Sequence, residues 1–139
     1  MFDACEREVR GFHRFLESWL AGDCPDTAAR FARTDALGAP FELVSPDGGR
    51  RDRETLLADL RAGHGSLPGL AIEVRDVRSR VQTGDLALIT YEEHQRRGSE
   101  RTARLSSALF APAPDAPEGV SWVHLHETWL PDGENSHDA

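Results

Sequence analysis

The chain has 139 residues, 16 basic against 24 acidic side chains, and a formal charge of −8. That length suits one domain, and surface scaling has it bury about two-thirds of its unfolded surface without help from disulfides or metals. An acidic balance speaks against nucleic-acid binding, and no run of ~20 apolar residues is present to span a membrane. The charged start MFDACEREVR does not read as a signal peptide, and Cys5 and Cys24 lie far apart in no ligand-like spacing. A cytoplasmic protein with neither cofactor nor metal is the expectation.

Phe2, Cys5, Val9, Phe12, Leu16 and Trp19 recur every three or four residues and predict a helix over about 2–20, with Asp3 at its start and Gly22 closing it. A second helix is expected from Pro25 to about Arg33, anchored by Phe31. Phe41 to Val44 reads as a short strand ending in the turn Pro46-Asp47-Gly48-Gly49. Asp52 caps a third helix that carries Leu56, Leu57 and Leu60 and stops at Gly63. Beyond Gly69 the chain turns strand-like, with strands expected near 70–80, 85–96, 101–111 and 120–130, and a polar, disordered tail over 132–139. Helices first and an antiparallel meander last make an α+β domain over 1–131. The apolar Leu86-Ala87-Leu88-Ile89 needs cover on both sheet faces, so a homodimer is expected through an outer face carrying Ile89, Tyr91, Phe110 and Trp122.

Four segments in this order carry a resemblance: Pro46-Asp47-Gly48 through Leu60, Leu88-Ile89-Thr90-Tyr91-Glu92, Thr102 to Ser107, and Trp122-Val123-His124-Leu125-His126-Glu127-Thr128-Trp129. Together they resemble the nuclear transport factor 2-like superfamily, also described as cystatin-like. Within it the ending is similar to SnoaL-like proteins and the association domain of calcium/calmodulin-dependent kinase II. The resemblance implies a cone-shaped α+β barrel, with three helices packed on a strongly curved antiparallel sheet around a pocket. It also implies that the position of Glu127, an Arg in the association domains, points into that pocket, and that Arg104 lines it. The helical Tyr and strand Asp of steroid-isomerase relatives are absent at the matching places.

On strict alternation Val123, Leu125, Glu127 and Trp129 share the core face of the last strand, with Trp122, His124, His126 and Thr128 opposite. Glu127 among apolar neighbours demands a partner, and Arg104 is the obvious one. Pairing Phe110 with Trp122 puts Leu105 rather than Arg104 on the face of Glu127, unless one bulge reverses the parity. Glu92 is the second acidic candidate, with Thr90 and His94 on its parity. The expected site thus joins Glu127 and Glu92 as catalytic groups to Arg104, His94 and Thr90 as ligand contacts, with Trp19 and Trp129 as walls. His124 and His126 read as interface residues rather than ligands. Two functions follow: a small-molecule pocket protein, as a cofactor-independent cyclase, isomerase or hydratase using a carboxylate base, or a non-catalytic ligand-binding or oligomerisation module.

Overall fold

The computed structural model describes residues 1–131, so the expected tail at 132–139 lies outside the described residues. Helix α1 (Phe2–Ala21) ends where Gly22 turns left-handed at φ 79°. A Cβ at Gly22 would stand 3.1 Å from the Cα of Gly65, so glycine is required by both backbone and neighbour. The second helix is shorter than its Pro25 start suggests. Thr27 accepts a hydrogen bond from Arg30 N and opens α2 (Ala28–Phe31), which tightens into a 3-10 turn over Ala32–Ala36. Strands β1 (Leu37–Val44) and β2 (Arg50–Asp52) form a hairpin, and the Asp52 side chain caps α3 (Arg53–Ala62) as expected.

The remaining chain forms β3 (Ala71–Thr83), β4 (Leu86–Arg97), β5 (Glu100–Pro112) and β6 (Val120–Trp129). The sheet has six strands in the order β2-β1-β6-β5-β4-β3. It is mixed, not wholly antiparallel: β1 runs parallel to β6.

Helix α1 packs on the concave face, with Cys5, Val9, Phe12 and Trp19 buried. Two polar ties bind it to β3: Glu17 accepts the Ile72 N–H at 2.7 Å, and Arg10 donates to the Val74 carbonyl at 3.1 Å. Opposite the helix, Ala87, Phe110 and Trp122 form one cross-strand row. Trp122 sits 4.6 Å from Phe110 and 5.6 Å from Phe12, ring centre to ring centre. Ile89, Tyr91, Phe110 and Trp122 are therefore core residues and not an outer dimer face. The alternation was read with the wrong sign in β4 because Leu86 to Ile89 is apolar at every position. The concave side claims Ala87, Ile89 and Tyr91, and Leu86 is left 43% exposed on the convex side. Among the described residues, no helix is long and apolar enough to cross a membrane.

Candidate functional site

The decisive local feature is a bulge in β6. Phe110 pairs with Trp122 but Leu109 pairs with His124, so Val123 is an extra residue. Before the bulge Trp122 faces inward; after it, Leu125 and Glu127 do. Ser106 consequently stands opposite Glu127 and Arg104 opposite Trp129, which puts Arg104 and Glu127 on the same face as diagonal neighbours. Arg104 Nη1 donates to Glu127 Oε1 at 3.1 Å.

These two side chains stand at a cavity of about 290 Å³ between α1, α3 and the sheet. Its walls are apolar, with Phe12, Leu16, Leu20, Phe41, Leu60 and Trp122 prominent. Arg51 and Asp59, 3.0 Å apart, stand at its more exposed side. His13, Glu93, Gln95, Arg104 and Glu127 supply polar groups on the side of α1 and the sheet.

Glu93 occupies the place expected of Glu92. His13 Nε2 lies 3.0 Å from Glu93 Oε1, while His13 Nδ1 lies 2.7 Å from the Val9 carbonyl oxygen. Both ring nitrogens face acceptors, an arrangement that suits an imidazolium against a carboxylate. Gln95 donates to the other Glu93 oxygen at 2.6 Å. Burial pushes the Glu93 carboxyl up, but the His13 charge and hydrogen bond, with Arg104 and Gln95, overcome it and hold its pKa near about 2. For His13 burial acts downward, and the Glu93 charge and hydrogen bonds outweigh it, so its pKa is raised. Glu127 behaves oppositely to Glu93: burial and then the Glu93 charge raise its pKa, with Arg104 only partly offsetting them.

Three buried polar atoms in this region have no hydrogen-bond partner: Arg104 Nε, Ser106 Oγ and the Tyr91 hydroxyl. Tyr91 and Ser106 pair directly across β4 and β5. Burial, then Glu93 and Glu127, raises the Tyr91 pKa well above its ordinary value. Of the three residues, Arg104 lines the cavity, while Tyr91 and Ser106 lie behind it and face each other across the strands. A buried donor left unsatisfied costs about 1–3 kcal/mol, so Arg104 Nε is a donor with a hydrogen bond to give to a polar group bound there.

The other sequence-predicted positions lie elsewhere. Glu92, Thr90 and His94 are on the convex face, where His94 bonds Glu92 at 2.9 Å and Arg80 donates to Thr90 at 2.8 Å. Trp19 is fully buried and does not line the cavity; it packs on Phe15 and Phe31, and its indole N–H donates to the Leu60 carbonyl at 2.6 Å. Trp129 is 41% exposed; its ring lies 5.0 Å below the Arg104 guanidinium, and its N–H donates to Asp47. His124 and His126 face the convex side, with ring centres 6.4 Å apart and Glu42 3.9 Å from His124.

A family model described as sucrose-6-phosphate phosphohydrolase C-terminal matches residues 5–131. The chain belongs to this family. Sucrose-phosphatase 1 and sucrose-phosphatase 2 of Nicotiana tabacum are 27% and 24% identical to it over 127 residues. The match takes in 88% of this chain, which spans only 30% of the length of either relative. Among solved structures, an NTF2-like protein of unknown function from Pseudomonas aeruginosa superposes with a TM-score of 0.82 at 29% identity, covering 92% of this chain and 99% of that one. A protein with a cystatin-like fold from Caulobacter vibrioides gives 0.70 at 14% identity, covering 94% and 90%. The S. rosetta CaMKII hub gives 0.65 at 10% identity, covering 92% and 95%. The nuclear transport factor 2-like fold read from the sequence motifs is thus shown.

Sequence reasoning missed His13, and reached Glu93 only as one of three candidate partners of Arg104, with Glu92 and Glu127. His13 follows Phe12 on the first helix and lies just off its apolar stripe, the one signal that could have drawn attention to it. Leu86 and Leu88 do not reveal the inward side of β4, because Ala87 and Ile89 between and after them are apolar too.

Proposed function

We propose that the chain binds a small uncharged molecule in the α1–sheet cavity and that Glu127 serves there as a general base. The observation that carries this reading is a carboxyl only 5% exposed, with a raised pKa, in a largely apolar cavity beside the unpartnered Nε of Arg104. Two cations, His13 and Arg104, balance two carboxylates, Glu93 and Glu127, so a charged ligand would unbalance the cluster. Raising a carboxyl toward neutrality makes it both a better base and a usable acid. It can take a proton from carbon or oxygen and return it elsewhere on the same molecule. The reaction class is cofactor-independent isomerisation, cyclisation or hydration, of the SnoaL-like type. Arg104 holds Glu127 and has an Nε donor left over for a substrate oxygen.

The test is ligand-observed NMR against a panel of neutral cyclic ketones, enones and polyols. Saturable hits are expected with the native chain and should vanish in Leu16→Trp, which fills the cavity. Glu127→Gln should keep ketone binding yet stop solvent deuterium from entering beside the carbonyl. Hits that persist in Leu16→Trp, or no hits at all, overturn the reading.

A second reading is an oligomerisation module, favoured by Val81, Leu86 and Leu105 standing 40–51% exposed and by the likeness to a kinase hub. Light scattering at micromolar concentration distinguishes a homodimer or ring from a 15.4 kDa monomer.

A further inference from the structure

We propose that a second site, independent of the cavity, binds a phosphate monoester in the groove between α1 and the α2 segment. The groove has a volume of about 520 Å³. Arg14, Arg30 and Arg33 line it together with Phe15, Ser18 and Pro117, and no carboxylate does. In a chain with 24 acidic residues, a groove lined by three guanidiniums and no acid runs against the composition.

The three arginines differ in how their charge is met. Arg33 Nη1 donates to Glu8 Oε2 at 2.9 Å, and its Nη2 is buried without a partner. Arg14 and Arg30 take part in none of the ion pairs found among the described residues. Two of the three also converge. A Cβ at Gly11 would stand 2.8 Å from Arg33 Nη2 and 3.8 Å from Arg14 Nη2, so those nitrogens are no farther apart than the two distances together. Guanidiniums at that spacing repel one another unless an anion lies between or above them.

Charge sets the ligand class. With Arg33 offset by Glu8, two uncompensated positive charges remain, the complement of a dianion. A phosphate monoester carries about −1.5 to −2 at pH 7, whereas a carboxylate would leave one cation unmet. The planar guanidinium also matches phosphate oxygens in paired hydrogen bonds. Phe15 and Pro117 give the organic part of the ester an apolar surface to rest on.

Titration of the full chain with glycerol 3-phosphate, followed by phosphorus NMR at pH 7.5 and low salt, tests this. Saturation at about millimolar concentration or below is expected. Arg14→Gln/Arg30→Gln should weaken it at least about tenfold, since each charge-assisted bond is worth roughly that factor. Both side chains are exposed, so the circular dichroism of that variant should be unchanged. Acetate and glycerol should compete at least about tenfold more weakly, and Leu16→Trp should bind as the native chain does. Inorganic phosphate binding as well as the ester places recognition on the phosphoryl group alone; a tighter ester assigns Phe15 and Pro117 to the organic part. Non-saturable binding, equal binding by the double variant, or equal competition by acetate overturns the proposal.

Discussion

Two buried carboxylates, Glu8 and Glu127, make an instructive pair. Glu8 is fully buried on α1, accepts from the Trp122 indole at 2.8 Å and from Arg33 at 2.9 Å, and lines none of the cavities described above. Glu127 is 5% exposed, accepts from Arg104 at 3.1 Å, and opens on a cavity. Burial raises the pKa of both, and an arginine opposes it in both. Burial and a shifted pKa therefore do not separate a structural clasp from a chemical site. Nor does a second carboxylate, since Glu118 raises Glu8 as Glu93 raises Glu127; what separates them is the empty volume beside the Glu127 carboxyl.

The comparison breaks first at Glu8. Glu8→Ala strands the Arg33 charge and the Trp122 N–H in the core, and should cost about 3–5 kcal/mol in urea unfolding. Arg104→Ala should cost somewhat less, about 2–4 kcal/mol, because water in the cavity can reach the Glu127 left behind. Equal losses in the two variants would mean that the cavity makes no difference to the charge beside it.

How far this contrast is legible in the sequence depends on parity. The helix of α1 follows from its 3-4 spacing, and the caps Asp52 and Gly22 follow from residue type. The pairing of Glu127 with Arg104 was open because it hangs on one extra residue, Val123, and nothing in Trp-Val-His-Leu-His marks where a bulge falls. Glu92 and Glu93 are indistinguishable when the apolar run before them has no alternation. The sign of that run is set by its pairing with Phe110, which packs on Trp122, and by Trp122 packing on Phe12, a contact between opposite ends of the chain. Glu8 stands three residues after Cys5 and four before Phe12, so the helix period places it on the buried face, but nothing local names its distant partners Arg33 and Trp122.

The His13–Glu93 pair sharpens the comparison through pH. A raised histidine pKa gives stability that is fully present below its ordinary value of 6.5 and is lost as pH rises through the folded value. A depressed carboxylate gives stability present above 4.5 and lost as pH falls toward about 2. Together they should produce a stability plateau between those ordinary values. Glu127 works against it at higher pH, since its raised pKa favours folding only while it is protonated. Glu127→Gln removes that penalty, so its stability should fall less steeply than the native chain's as pH rises above 4.5, whatever constant offset the unpaired Arg104 adds. His13→Gln should flatten the fall above pH 6.5. Melting curves from pH 3 to 9 check both, and a Glu127→Gln variant that loses stability with rising pH as steeply as the native chain contradicts the assignment.

The smallest effect tests the clasp from its outer arm. Gly11 lies in the middle of α1, where glycine costs about 0.5–1 kcal/mol against alanine. Its absent side chain leaves room for Arg33, whose Nη2 would meet a new Cβ at 2.8 Å. Gly11→Ala thus sets a gain in helix propensity against displacement of the guanidinium from Glu8. A hydrogen bond between charged groups is worth about 1.5–3 kcal/mol, so the clasp should win and the variant should lose roughly 1 kcal/mol. Removing the arm reverses the sign: in an Arg33→Met background there is no guanidinium to displace, and Gly11→Ala should stabilise by about 0.5–1 kcal/mol. A double-mutant cycle by chemical denaturation reads this directly. Equal effects of Gly11→Ala in the two backgrounds would show that Arg33 moves aside at no cost, and that Glu8 is held by Trp122 alone.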